Sequence, residues 1–511
     1  MMTSGMRRWW AVGAMVLAVL AVGFDVTILS LALPALATGL DASTSQLQWF
    51  VAAYTLVFAA AMIPGGMLGD RFGRKKMLVT ALIVFGVSSL AAAYAPSAGA
   101  FIAARAVLGL GGAVILPMVL GVVPTLFDAR ERRRAIAMVM AAAMVGYPIG
   151  PILGGWLLGH FWWGSVFLIN VPVVVLAVAA VLAWLPESRA ARTRRLDLPG
   201  IATSSAALAA LTFGVIQAGQ YGWGDATSVV PLAGGAVLVA AFVLCERRTG
   251  EPLVDLRLFR ETGFTVGTLL STAVNFVMFG VLFAVPQYFQ AVLGTDAMGG
   301  GIRLLPLIGG MLASAVVADR FAARAGARGS VCLGFVLLAG AMFGGATAAA
   351  VGGHGLAAAW TTVAGLGLGL VMPVAMDAAI GTLDEERSGV GSAVIQAVRM
   401  VGGSFGAAIL GSVLNAGYRG RLDLTGLAPA AARAVREGVY GGLEVAHRTG
   451  RDALAVQVRG AYTHGMDLVL VVSAVLGLLC ALGALLLPSR RAGRVGPTGA
   501  ERPQSDHEAA V

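Results

Sequence analysis

Charge is scarce in this chain. Of 511 residues, 12% are Asp, Glu, Lys or Arg, whereas 58% are apolar. A soluble domain carries roughly 25% charged residues. Too little polar surface is left to face water, and lipid is the solvent that fits. Lysine is nearly missing, occurring only at Lys75 and Lys76. Neither fits the GxxxxGK[ST] loop that holds ATP phosphates, which excludes ATP-driven pumping by that route. Cysteine is as rare: Cys245, Cys332 and Cys480 lie far apart, without CxxC spacing. No disulfide framework, zinc site or other metal is expected. The chain also lacks HExxH and paired intramembrane carboxylates, so neither an enzyme nor a bound cofactor is expected. The net charge of +10 is dealt out among short loops. That spread gives no basic patch for nucleic acid.

What the chain has in plenty is long apolar runs, with many of its 70 glycines set inside them. Small residues there let membrane helices approach closely. A span needs about 20 mostly apolar residues. Fourteen windows qualify, near 9–32, 47–68, 77–95, 101–123, 135–158, 166–185, 200–218, 229–245, 263–286, 302–318, 330–350, 356–376, 390–414 and 466–487. The first holds Asp25 and passes into the second without a cleavage site, so it reads as a retained span rather than a signal peptide.

The loops set the orientation. Those after even-numbered spans are basic, beginning with Arg71, Arg74, Lys75 and Lys76 and then Arg130, Arg132, Arg133 and Arg134. The six short loops between, near 34–46, 96–100, 159–165, 219–228, 287–300 and 351–355, contain neither arginine nor lysine. Positive charge stays inside, so both termini are expected in the cytoplasm. The last outer loop, 415–465, is basic but long, and long segments translocate with less regard to charge. Its Ala-rich stretch 428–446 reads as an amphipathic surface helix. The polar tail 488–511 reads as disordered.

The chain repeats itself. Gly109-Leu-Gly-Gly-Ala-Val-Ile-Leu-Pro117 and Gly365-Leu-Gly-Leu-Gly-Leu-Val-Met-Pro373 stand 256 residues apart, and the same offset relates Asp128 to Asp384, Gly146 to Gly402 and Gly150 to Gly406. Asp70-Arg-Phe72 has a counterpart in Asp319-Arg-Phe321. The spans therefore read as a six-helix half over 9–185, two inserted helices over 200–245, and a second half over 263–487. A substrate route is expected between the halves, near the midplane.

Gly66-Met-Leu-Gly-Asp-Arg-Phe-Gly-Arg-Lys-Lys-Met-Leu78 opens the loop after span 2. Gly66 and Gly73 suit close approach and a sharp turn. Asp70 can accept hydrogen bonds from a helix N-terminus or an arginine, and Arg71 and Arg74 hold the loop on the cytoplasmic side. The spacing resembles the signature of the major facilitator superfamily. Gly23-Phe-Asp-Val-Thr-Ile-Leu-Ser-Leu-Ala-Leu-Pro34 resembles the first-span motif of its fourteen-span drug:proton antiporters, with Ser30 where asparagine is usual. Gly146-Tyr-Pro-Ile-Gly-Pro-Ile-Leu-Gly-Gly155 looks like their antiporter motif GxxxGPxxGG. Phe167-Leu-Ile-Asn-Val-Pro172 and the segment from Gly389 to Gly403 are similar too, although Gly164 stands where an arginine is common.

The resemblance implies an all-α membrane protein of the major facilitator fold. It implies a monomer in a bacterial cytoplasmic membrane that exports small amphiphilic organic molecules in exchange for protons, with the proton gradient as its energy source. An exporter of an endogenous metabolite or siderophore, or a proton-linked importer, would share this fold. A charge at a helix centre costs roughly 2.5–3.5 kcal/mol on insertion scales, which makes it a functional candidate. Asp25 is the one carboxylate deep in a span. Arg105, in span 4, lies at similar depth. Its motif has Leu108 in place of the usual glutamine. In the family this pair is associated with proton coupling; the bland alternative is a static pair that fixes packing. Burial favours the neutral acid and a nearby cation the carboxylate, which is the logic of a proton switch. In the motif that opens at Gly146, the trio Gly150, Gly154 and Gly155 presents a nearly smooth face, and Pro148 and Pro151 can bend the helix. This suits either a rocking interface or ordinary close packing. Tyr54 is a candidate for the cavity wall. Arg399, at mid-depth in span 13, faces either the cavity or a neighbouring helix.

Overall fold

The computed structural model describes residues 4–189, 197–250, 252–348, 354–383 and 385–487. The expected disordered tail 488–511 lies outside them. Every regular element among the described residues is helical. In chain order come α1 (Ser4–Gly39), α2 (Thr44–Phe72), α3 (Arg74–Ala93), α4 (Ala98–Leu126) and α5 (Ala129–His160). α6 (Ser165–Leu168) and α7 (Asn170–Trp184) are two pieces of the expected sixth span. Pro172 has no N–H to give the carbonyl of Leu168, which interrupts the ladder at Ile169. α8 (Leu198–Tyr221) and α9 (Ala226–Arg248) follow. The remainder is α10 (Thr262–Gln287), α11 (Ala297–Ala348), α12 (His354–Ile380), α13 (Glu385–Gly420), α14 (Pro429–Glu437), α15 (Val439–Thr449) and α16 (Asp452–Gly483).

Twelve of the described helices are long and apolar enough to cross a membrane. The expectation was fourteen spans. α5 is not among the twelve, and α11 holds two expected spans in one run of 52 residues. α11 is not straight. Gly326 breaks it at φ 75°, ψ 163°, a backbone state that glycine adopts without steric cost. The loop expected between the windows 302–318 and 330–350 is thereby reduced to one residue. Gly73, at φ 113°, makes the matching turn between α2 and α3.

The outer loop also differs from expectation. α13 runs on to Gly420 and α16 starts at Asp452, well before 466, so the loop is far shorter than 415–465. The single helix expected over 428–446 is a hairpin of α14 and α15, broken at Gly438.

The internal repeat has a packing counterpart. A Cβ on Gly109 would strike the Tyr54 carbonyl on α2, and one on Gly111 the Ala81 carbonyl on α3 at 2.9 Å. On α12, Gly365 meets Leu307 in the first arm of α11 and Gly367 meets Gly334 in its second arm. Each GxG thus seats one helix between two others through paired close contacts. Elsewhere α5 packs on α1 and α11, α2 on α4 and α13, and α10 on α12, α13 and α16. α8 packs on α9 and also on both α2 and α13.

Candidate functional site

α1 is apolar along most of its length, with Asp25 embedded in it at 0% exposure. Arg105, on α4, is 1% exposed. Its Nη1 donates to Asp25 Oδ2 at 2.8 Å. Nε donates to the Phe50 carbonyl on α2 at 3.1 Å, and the guanidinium lies 4.5 Å from the centre of the Tyr54 ring. A buried guanidinium needs its donors satisfied and its charge balanced. One carboxylate, one carbonyl and one aromatic face serve here. Asn170, 0% exposed, reaches toward Asp25 Oδ1 at 3.5 Å while donating to Ser89 Oγ at 2.9 Å. The site thus draws on α1, α2, α3, α4 and α7. Asn170 stands within a motif quoted above but was not singled out there; an amide inside an apolar run is the signal that could have marked it. The Phe50 carbonyl left no trace in the sequence.

Beside this pair lies a cavity of about 10 Å³, bounded by Ser30, Tyr54, Arg105, Phe279 and Phe283 among others. Its walls come from α1, α2 and α4 on one side and α10 on the other. Arg399, 4% exposed, donates through Nη2 to Asn275 Oδ1 on α10 at 3.3 Å and through Nη1 to Gln396 Oε1 at 2.5 Å. It does not line that cavity.

The loop after α2 is built around Arg74. Its guanidinium donates to Asp70 Oδ1 at 2.8 and 3.0 Å and to the Gly121 carbonyl on α4 at 2.5 Å. Asp70 therefore pairs with its own loop's arginine rather than with a helix N-terminus. Arg71 is exposed, its charge 5.5 Å from the Phe72 ring centre. Gly66 does not serve close approach: a methyl group there would meet Pro117 Cβ at an ordinary 3.7 Å. Gly65 is the tight position, 2.7 Å from Val114. Glu187, unmarked by any motif, holds the turn by accepting from Lys75 N at 3.1 Å.

The glycines of α5 divide their work. A Cβ on Gly146 would meet Gly23 and Phe24 of α1 at 3.2 Å, one on Gly150 would strike Thr27 and one on Gly154 would lie 2.7 Å from Ile28. This face grips α1 on either side of Asp25. Gly155 faces α11 instead, where Met298 Cα would be 2.8 Å away, and the Pro151 carbonyl lies against Gly301 of α11. Pro148 stands on the same helix, with its side chain outside the described residues.

A larger cavity, about 360 Å³, opens above the α1–α2 turn. The α14–α15 hairpin covers it, tied to α2 by Thr44 Oγ1 donating to the Glu437 carbonyl at 2.9 Å. Its exposed rim carries Asp41, Glu437 and Glu444, the last bonded to Arg448 at 2.6 Å. Its floor includes Asn415, 1% exposed, whose Oδ1 has no hydrogen-bond partner among the described residues. Burial pushes the Tyr440 phenol well above its ordinary range, so the ring oxygen stays neutral.

The family description Major Facilitator Superfamily matches residues 15–407. The chain is 34% identical over 492 residues to the tetracenomycin C resistance and export protein of Streptomyces glaucescens, covering 94% of this chain and 91% of the relative. It is 32% identical over 489 residues to the multidrug efflux pump LfrA of Mycolicibacterium smegmatis, covering 93% and 95%. Among solved structures, an inward-facing, unoccupied bacterial homolog of the human lysosomal transporter Spinster matches with a TM-score of 0.66 at 16% identity, covering 94% of this chain and 98% of that one. The D-xylose-proton symporter matches with a TM-score of 0.61 at 17% identity, over 94% and 98%. At such identities these structures speak for the fold alone.

Proposed function

Since the chain belongs to the Major Facilitator Superfamily, we propose that it is a proton-coupled antiporter exporting small organic molecules, drugs or antibiotics, by alternating access. The observation that carries this reading is the buried Asp25–Arg105 pair beside a small cavity walled by both α1–α2 and α10. Names of relatives support the direction of transport: one is a resistance and export protein, another an efflux pump. In this reading α5 and both arms of α11 count separately, giving fourteen spans: six in each half, with α8 and α9 as the insert. Both termini lie in the cytoplasm of a bacterium, and the α14–α15 hairpin faces outward.

The cycle follows from charge and packing. With Asp25 ionised, Arg105 is satisfied and the pair is closed. A proton arriving from outside neutralises Asp25 and releases Arg105 to its remaining contacts, Phe50 and Tyr54. That change is felt on α2, which packs on α13, and through Asp25's own helix on α5. The halves rock, substrate binds from inside as the proton leaves, and the return step delivers it outward through the 360 Å³ cavity. Asp70, Arg74 and the single-residue turn at Gly73 govern closure on the inner side.

The test is efflux by everted membrane vesicles with an acridine dye reporting the pH gradient. Native chain and Asp25→Asn are compared across cationic, neutral and anionic compounds, with tetracenomycin C in the panel because a relative is named for it. Compounds are expected to collapse the gradient only with the native chain. Equal collapse by both proteins would make Asp25 structural and sink the coupling model.

A further inference from the structure

Where α8 begins and α9 ends, two acids meet out of water. Asp197 caps α8, its Oδ1 accepting from Gly200 N at 3.0 Å. Glu246 stands in the last turn of α9, and its Oε2 accepts from Val254 N at 3.0 Å. Asp197 is 6% exposed and Glu246 4%. Each carboxylate thus has one oxygen occupied. The other oxygens, Asp197 Oδ2 and Glu246 Oε1, are fully buried and receive no donor among the described residues. Both lie over Gly200, where a methyl group would strike the two of them, Glu246 Oε1 at 2.6 Å. The absence of a side chain at Gly200 is what lets them face each other.

Among the described residues no cation relieves this arrangement. Arg189, Arg247, Arg248, Arg257 and Arg260 are the basic residues nearest in sequence among the described residues, and all five are exposed. None forms an ion pair with either acid. Asp197 itself is the charged side chain that bears on Glu246. Two ionised carboxylates in such a place would repel each other and forfeit their hydration. One proton removes both penalties: an O–H on one acid donates to the facing oxygen of the other, and the pair titrates as a unit.

We propose that Asp197 and Glu246 hold one shared proton and form a second proton-binding site, on helices that contribute nothing to the Asp25 site. The site fastens three segments together: the start of α8, the end of α9 and the strand of chain at Val254 that leads to α10. Losing the proton leaves two facing charges, which press α8 from α9 and loosen the approach to α10. In the orientation given above this end lies inside, so the pair responds to cytoplasmic pH. The proposal does not depend on transport.

Infrared spectroscopy of the purified full-length chain tests it, by the carbonyl band of a neutral carboxylic acid followed between about pH 5 and 9. Asp197→Asn and Glu246→Gln each keep an N–H donor toward the remaining acid, so the fold is preserved. Each variant is expected to lack one neutral-acid component present in the native protein. Gly200→Ala should remove the same component by parting the acids without deleting either. Thermal unfolding gives an independent readout. The native protein should lose stability as pH rises through the titration of the pair, whereas the two amide variants stay flat over that range. Identical neutral-acid bands in native and variants would overturn the proposal. So would the lack of any such component with a melting temperature raised by added sodium or magnesium, which would mean a bound cation in place of the proton.

Discussion

Arg105 has more work than its charge alone. Asp25 balances it, the Phe50 carbonyl accepts a hydrogen bond from its Nε–H and Tyr54 covers its plane. Removing one member of a buried pair costs about 3–5 kcal/mol, because the survivor is left as an uncompensated charge, whereas removing both is often close to neutral. Arg105→Gln should therefore lower stability more than the Asp25→Asn/Arg105→Gln double variant does, as measured by unfolding in detergent. Transport should be lost in both. Transport that returned with stability in the double variant would reduce the pair to a packing device. The two residues were legible in the sequence because charge in an apolar run is rare and their depths could be compared by counting. Asn170 was half legible, a polar residue in a motif with no assigned partner. Glu187 and the Phe50 carbonyl were not, since one sits in an ordinary polar loop and the other belongs to the backbone.

Among elements, α5 shows how glycine spacing becomes a contact surface. Gly146 stands 3.2 Å from α1 where a methyl group would reach, while the same group at Gly150 meets Thr27 outright and the Phe24 carbonyl at 3.1 Å. Overpacking of this kind costs typically 1–3 kcal/mol. Gly146→Ala should retain most efflux, and Gly150→Ala should lose most of it, with α5 displaced from the helix that carries Asp25. Comparable efflux from the two variants would contradict this grading. Spans were readable from apolar length, and the sharpness of the turn between two of them was not. Gly326 separates the two arms of α11 by a turn of a single residue, which composition cannot register. The extra turns of α13 and α16 beyond the apolar core were hidden for a related reason: their outer ends are polar, so hydropathy stops before the helix does.

For the whole molecule, charge is unevenly placed. The chain carries +10, yet the rim of the outer cavity carries Asp41 and Glu437 as well as the Glu444–Arg448 pair. Exposed charges contribute at most about 1 kcal/mol each, or about fivefold in affinity. Asp41→Asn with Glu437→Gln should thus reduce efflux of cationic compounds several-fold and leave neutral ones unchanged, most clearly at low salt. Equal loss for both classes would point to a distorted hairpin rather than a charge effect. α8 has a consequence of its own. Its Val215 and Ile216 pack with Ala52 of α2 and Ala408 of α13, while Ser412 and Asn415 of α13 donate to the carbonyls of Val215 and Gly219. The helix thus stops the cleft between α2 and α13 like a cork. Acyl chains cannot wet that flank of the seam, and a greasy molecule diffusing within a leaflet meets a wall there. On the opposite flank α5 and α11 close the seam by direct contact, Gly155 against Met298 and the Pro151 carbonyl against Gly301.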